Sequence, residues 1–362
     1  MGLARRRFIT HTGLALSSAT AMTVSCVPDA TANETNSRSV AGCPSIKRPM
    51  EKIEGKVAFI TGGSSGIGLG IARAFADAGM KVGIGYRSDK HLEEAMKGFG
   101  QAAVRVHAIR VDVTDRPAMA KAAEEVLEVF GKLHVLVNNA GVVQHMPLSQ
   151  ATFDDWDFQM SVNLDGVFNG IHSCLPHIRS HGEGGQIITT SSILGLFTGA
   201  NSGIYSATKY AVLGLMEALR AELADSNIGV SAFCPGMVIS NIQESSRNRP
   251  SELADTGVKA DKDAQDKERA LRHDPERAMD PLEAGRFVLR GMRDNDLYIL
   301  THPEYEQILR DRSDALLASI PKDVQPTEAR LALARSGVEK SIYAIERARK
   351  RCEPVTSTKF TK

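Results

Sequence analysis

The spacing of apolar residues changes repeatedly along the chain. Val57-Ala58-Phe59-Ile60 is a continuous apolar run, the pattern of a strand buried on both faces. A Gly- and Ser-rich stretch follows it. Ile67, Ile71, Ala74, Phe75 and Ala78 then recur at helical spacing, and Gly79 marks the end of that helix. Lys81 to Tyr86 reads as the next strand. Further strands are expected at 104–111, 133–137, 186–190, 230–233 and 298–300, with helical stretches between them and a long helix over 153–177.

Strands that alternate with helices make a parallel sheet covered on both faces. The expected fold is therefore α/β, a doubly wound parallel sheet of Rossmann type, in three layers and one domain over residues 51–320. No internal repeat and no second core pattern is present. Ligands of such folds sit at the C-terminal ends of the strands.

Both ends of the chain read differently. Residues 1–50 form a signal-like leader and linker. Arg5, Arg6 and Arg7 precede Phe8-Ile9 and a short apolar stretch, with a small-x-small site at Ala30-Thr31-Ala32. The Arg-Arg-Arg-Phe-Ile run is similar to a bacterial twin-arginine export signal. A second cut before Cys26 loosely resembles a lipoprotein box, with Thr23 departing from it. The expectation is a chain that is periplasmic or lipid-anchored if the leader functions, with export machinery as a partner, and cytoplasmic otherwise. Residues 321–362 make a charged C-terminal extension, with a charged helix expected over 328–350 and a basic end at 347–351.

Composition narrows the function. Lys plus Arg number 44 and Asp plus Glu 43, a net charge of +1. No global field draws nucleic acid, and aromatic residues at 5% supply no stacking platform for bases. Five scattered Cys and the absence of CxxC argue against a disulfide framework or a zinc site. His172, His177 and His181 are not at a metal spacing on one helical face, so no metal is expected.

Candidate chemistry lies in three places. The run Thr61 to Gly68 sits between a strand and a helix, where glycines let the backbone turn tightly and approach a pyrophosphate at the helix start. Tyr205 and Lys209 are one helical turn apart on one face. A phenol titrates near pH 10, and a nearby cation favours its ionised form. The same spacing also describes a solvated surface pair. Two adjacent hydroxyls, Ser191 and Ser192, follow the expected strand at 186–190 and are rivals by composition.

In their order, these motifs resemble the short-chain dehydrogenase/reductase family, over roughly residues 53–305. They are TGxxxGxG at Thr61 to Gly68, Asn-Asn-Ala-Gly at Asn138 to Gly141, Ser192 thirteen residues before Tyr205-x-x-x-Lys209, and Pro235-Gly236 after a strand. The resemblance implies Tyr205 as general acid/base. It implies that Lys209 lowers the Tyr205 pKa and holds the nicotinamide ribose. Ser192 would bond the substrate oxygen, and Asn163 would hold a water of the proton relay. The cofactor positions it implies are Thr61, Gly62, Ser64, Ser65, Gly66, Ile67, Gly68, Arg87, Ser88, Asp112, Val113, Asn139, Ala140, Gly141, Tyr205, Lys209, Pro235, Gly236 and Val238. Family members often pair two helices across a two-fold axis, so a homodimer or homotetramer is expected.

The second strand ends Gly-Tyr-Arg-Ser, with no carboxylate for ribose hydroxyls. Arg87 and Ser88 can meet a 2′-phosphate, which favours NADP(H) over NAD(H). The reaction expected is hydride transfer between NADP(H) and a carbonyl or secondary alcohol, a small-molecule substrate. The alternatives are a nicotinamide-binding sensor or scaffold without turnover, and a sugar-nucleotide epimerase or dehydratase. His145, Met146, Leu194, Phe197 and Met237 are the expected pocket residues. Residues 241–281 read equally as a substrate lid or a solvated insertion.

Overall fold

The computed structural model describes residues 48–257, 262–338 and 341–352. The leader motifs at Arg5 to Arg7, Cys26 and Ala30 to Ala32 lie outside the described residues.

Strands β1 (Val57–Ile60), β2 (Lys81–Tyr86), β3 (Val106–Arg110), β4 (Val135–Asn138), β5 (Gly185–Thr190), β6 (Ile228–Cys234) and β7 (Tyr298–Leu300) form one sheet. Its order is β3-β2-β1-β4-β5-β6-β7 and every pairing is parallel. The expected doubly wound α/β sheet is what forms.

Period-two alternation assigns the two faces. Phe59, Leu136, Ile187 and Val230 point to one face, where they meet α3 (Arg116–Phe130), α5 (Gly166–Ser180) and α6 (Gly203–Glu222). Ala58, Ile60, Val137, Ile188 and Phe233 point to the other, against α1 (Gly66–Asp77) and α8 (Pro281–Asp294). Phe59 and Phe75 are fully buried, each such ring contributing about 1.5–3 kcal/mol by removal from water. Helices α2 (Asp89–Lys97) and α4 (Phe153–Met160) complete this part of the chain. Strand order reverses between β1 and β4, and the crevice above that point is where the site motifs gather.

Three boundaries differ from the expectation. Val104 lies in a 3-10 turn (Gly100–Arg105) and is 88% exposed, because Gly100 takes a left-handed φ of 51° and starts a turn, not a strand. The 153–177 helix is divided by a π-helical turn at Ser161–Asp165, so α4 and α5 are separate. The 328–350 stretch holds two helices, α10 (Glu328–Val338) and α11 (Ile342–Cys352), preceded by α9 (Glu306–Ala318).

Helix α11 gives part of the basic end a role. Arg349 is buried and donates to Asp294 O at 2.9 Å, pairing also with Asp296 and Glu346. Glu346 accepts from the Leu297 N–H at 3.1 Å. These bonds fasten the helix beside β7. Among the described residues no helix is long and apolar enough to cross a membrane.

Candidate active site

The turn after β1 is built from close approaches. Gly62 adopts φ 64°, and a Cβ there would come 3.0 Å from the Ala140 Cα. A Cβ on Gly68 would come 2.2 Å from Gly62 O and 2.4 Å from Asn139 Nδ2. Thr61 lies beneath this turn. Its Oγ1 accepts from the N–H groups of Asn139 and Ala140 at 3.0 and 3.2 Å, locking β1 to β4. Asn139 Nδ2 donates to Thr61 O and Gly62 O at 3.2 and 3.4 Å, and Thr190 Oγ1 donates to Asn139 Oδ1 at 3.2 Å. Thr61 and Gly68 therefore do not line the crevice; they shape the turn that does. Gly62, Ser64, Ser65, Gly66 and Ile67 line it.

Other helices close their first turns with side chains: Ser88 on α2, Asp115 on α3, Thr152 on α4 and Asp280 on α8. Ser65 makes no such bond on α1, and the first turn of α1 carries no acidic residue. Its N–H groups have no intrahelical acceptor and border a cavity of about 430 Å³. That end suits the pyrophosphate of a dinucleotide.

Strand β5 and helix α6 bring the chemical groups together. Ser191 turns into the core and donates to Lys209 O at 2.8 Å. Ser192 lines the crevice, accepts from the Leu194 N–H at 3.1 Å, and interacts with the Tyr205 hydroxyl. The choice between the two serines thus follows from which one the core has already used. Lys209 is 3% exposed and donates to Thr190 O at 2.9 Å. Its Nζ stands 5.6 Å from the centroid of the Tyr205 ring. Burial pulls the Lys209 ammonium down to about 8. Burial also holds the Tyr205 phenol above its ordinary value, while the Ser192 hydroxyl and the Arg272 charge pull the other way. Among the protein's own groups, removal from water outweighs that hydrogen bond and that charge.

Asn163, in the π-helical turn, is fully buried and does not line the crevice. Its Oδ1 accepts from the Val142 N–H at 2.8 Å. Its Nδ2 donates to Val142 O at 2.9 Å and to Thr208 Oγ1 at 3.2 Å. The side chain expected to hold a water instead pins the loop that follows Asn139, Ala140 and Gly141, all three of which line the crevice.

At the nucleotide end, Arg87 pairs with Asp112 at 3.2 Å, both partly exposed, with Ser88 and Val113 alongside. Asp112 also accepts from the Thr114 N–H and hydroxyl. Asp89 is held by Arg110. Ser88 caps α2 by accepting from the His91 N–H at 3.4 Å.

On the substrate side, His145, Leu194, Phe197 and Met237 line the crevice, as do Pro235, Gly236 and Val238. Met146 does not: it is buried and bridges to Ser202. The first part of the 241–281 segment, with 3-10 turns at Ile242–Asn248 and Ser251–Leu253, is docked firmly. The Ser245 hydroxyl accepts from the Val143 N–H at 3.0 Å. Arg249 (9% exposed) pairs with the fully buried Asp155 at 2.6 Å and donates to Gln144 Oε1 at 2.8 Å. Burial alone would raise the Asp155 carboxyl; bonds from Thr152, Arg249 and Gly257 outweigh it and hold the group below its usual range.

Two residues without a sequence signal, Tyr305 and Arg272, line the crevice, and a third, His302, supports it from behind. Gly236 N–H donates to His302 Nδ1 at 3.1 Å, and the His302 Nε2–H donates to Met237 O at 3.1 Å, strapping the Pro-Gly turn. The Tyr305 ring stands 5.7 Å from that of Phe197. Arg272, the last residue of α7 (Lys262–Arg272), borders the crevice beside Tyr205.

His181 meets His134 and Glu183 at the opposite sheet edge. Its Nε2 is bonded to Leu133 O and its Nδ1 accepts from the Glu183 N–H, while Lys56 and Lys132 pair with Glu183. These bonds leave His181 no lone pair for a metal.

A family model described as short chain dehydrogenase matches residues 56–251. The C alpha-dehydrogenase of Sphingobium sp. strain SYK-6 is 36% identical over 283 residues, which cover 78% of this chain and 92% of that protein. A short chain dehydrogenase/reductase from Burkholderia phymatum, solved in complex with NAD, has a TM-score of 0.69 and 30% identity, covering 77% of this chain and 100% of that one. A short chain dehydrogenase from Burkholderia cenocepacia, solved in complex with NADP, has a TM-score of 0.55 and 28% identity, covering 69% and 96%.

Proposed function

Because the chain belongs to the short-chain dehydrogenase/reductase family, and so is a nicotinamide-dependent oxidoreductase acting on CH–OH groups, we propose that it is an NADP(H)-dependent carbonyl reductase with Tyr205 as its general acid/base. The observation that carries this reading is the meeting of Ser192, Tyr205 and Lys209 in one crevice, beside the uncapped start of α1. The bound cofactor supplies the hydride. Ser192 hydrogen-bonds the substrate oxygen, and the phenol of Tyr205 gives that oxygen its proton as charge develops there. Lys209, aimed by the Thr190 carbonyl, keeps a positive charge beside the phenolate that remains. Thr61 and Asn163 act one step removed, by holding the crevice-lining loops that would receive the nicotinamide.

The preference for NADP(H) rests on the end of β2. Asp89 is engaged by Arg110, so no carboxylate there is aimed at ribose hydroxyls. Arg87 is half-exposed in an ion pair of little strength, which a 2′-phosphate can outcompete for the guanidinium.

The test is direct. Purified chain, NADPH and a panel of ketones and aldehydes should give loss of absorbance at the nicotinamide band. Tight NADPH binding with no consumption on any member would favour the sensor or scaffold reading instead.

Two further expectations extend the proposal. Phe168, Ile171, Leu175 and Leu219 line a groove between α5 and α6, which suits pairing with a second copy and is checked by light scattering. Export through the leader is checked by the mass of the mature N-terminus; an unprocessed cytosolic chain would remove it.

A further inference from the structure

The Pro-Gly turn after β6 lines the crevice through Pro235, Gly236, Met237 and Val238, and one side chain grips it from behind. Strands β6 and β7 run parallel, with Cys234 opposite Leu300. Two residues further on, that register brings His302 beside Gly236. The Gly236 N–H donates to His302 Nδ1 at 3.1 Å, and the buried Thr301 donates its hydroxyl to the same nitrogen at 2.6 Å. Nδ1 therefore carries the lone pair and Nε2 the hydrogen, which goes to Met237 O at 3.1 Å. Both nitrogens of the imidazole thus engage consecutive residues of one turn. The approach is close: a Cβ on Gly236 would come 2.7 Å from His302 Cγ and 2.7 Å from Tyr305 Cε2. The His302 ring also stands 6.1 Å from that of Tyr305, which in turn stands 5.7 Å from Phe197 on the substrate side.

Other bonds to the turn come from the N–H groups of Ile193 and Met279, which donate to Pro235 O and Met237 O at 2.9 Å each. The Gly236 N–H has His302 as its only partner among the described residues. Hydride transfer needs its two carbons aligned, and a shift of about 1 Å caused by a residue far from the chemistry can lower a rate about 100-fold. Resting on the reductase reading above, we infer that His302 is a positioning residue for hydride transfer. Through the Gly236 N–H and the Met237 carbonyl it fixes the Pro-Gly wall of the crevice, on which the alignment of nicotinamide and carbonyl depends. It lies behind that wall and moves no proton. Because the same ring backs Tyr305, it ties the turn on the cofactor side to the rings on the substrate side.

The experiment compares the full chain with His302→Phe, which keeps a ring and removes both bonds, and with His302→Asn, whose side-chain oxygen can still accept from the Gly236 N–H. In the proteins without nucleotide, hydrogen–deuterium exchange over 235–238 should be about 10-fold faster in His302→Phe, and slower again in His302→Asn. With NADPH and a ketone that wild type reduces, kcat should fall about 10- to 100-fold in His302→Phe and recover in part in His302→Asn. Affinity for 2′,5′-ADP, which occupies the nucleotide end alone, should stay within about twofold. Unchanged exchange over the turn, or faster exchange with an unchanged kcat, overturns the inference. A loss of 2′,5′-ADP affinity equal to the loss of kcat would mark a general structural role and overturn it as well. So would His302→Asn performing no better than His302→Phe in both exchange and kcat. A wild type that binds NADPH and reduces no ketone counts against the reductase reading itself, while the exchange result still tests the grip of His302 on the turn.

Discussion

The Lys209 ammonium donates to the Thr190 carbonyl at 2.9 Å, so the last residue of β5 aims the lysine of α6 toward the ring of Tyr205. Two elements far apart in sequence thereby fix one cation. The price is burial of that charge, and it has a signature in pH. The folded ammonium releases its proton at about 8, the unfolded one near 10.5. Between those values the unfolded chain holds more protons, so stability rises with pH. From about pH 8 to about pH 9.5, wild type should gain on the order of 2 kcal/mol relative to Lys209→Met. Urea unfolding at both pH values measures this; parallel curves for the two proteins would contradict it.

Asn163 satisfies both the N–H and the C=O of Val142. Asn163→Ala would leave two buried backbone groups without partners, at on the order of 2–4 kcal/mol. Urea unfolding should show that loss, together with weaker nicotinamide binding as the loop shifts. A variant as stable as wild type would argue against this pinning role.

The Arg249–Asp155 pair fastens the start of the 241–281 segment over the crevice. Arg249→Met leaves a buried carboxylate without its cation, a loss of about 3–5 kcal/mol in typical cases. Limited proteolysis should then cut within 241–257, and KM for ketones should rise. Replacing Asp155 with Asn in the same chain should recover part of the stability. An unchanged digestion pattern in Arg249→Met would speak against a docked lid.

Arg87 is the residue argued to meet a 2′-phosphate. Arg87→Leu should weaken NADPH binding about 10- to 100-fold, as loss of a charge-assisted bond does, and leave NADH nearly unaffected. Fluorescence titration with both nucleotides separates the cases. Equal weakening of the two would remove the NADP(H) preference.

Much of this was legible in the sequence where local pattern and tertiary role coincide. The apolar run 57–60 and the pattern Ile71, Phe75 became β1 and α1, because a strand covered on both faces has no polar side to obscure it. Boundaries were less legible. Val104 continues an apolar pattern, yet Gly100 sets a turn there, and the π-helical turn at Ser161–Asp165 leaves no mark in a 3.6-residue period. The site was legible where motifs have fixed spacing. It was not where a residue acts through its own carbonyl, as Thr190 does, or arrives from a distant element, as His302 and Tyr305 do after β7. Arg272 was hidden by its neighbours: inside a run of charges, one arginine that turns inward looks like those that do not. Arg249 and Ser245 were hidden in the same way.

The account rests most on Tyr205 as the proton donor to the reduced carbonyl. The measurement that tests it is the rate of NADPH consumption by Tyr205→Phe on a ketone that wild type reduces, with NADPH affinity measured on the same samples. Loss of a positioned general acid should lower kcat by about 10²- to 10⁴-fold while nucleotide binding stays within about threefold. A phenylalanine variant that binds NADPH and turns over at the wild-type rate would contradict the mechanism.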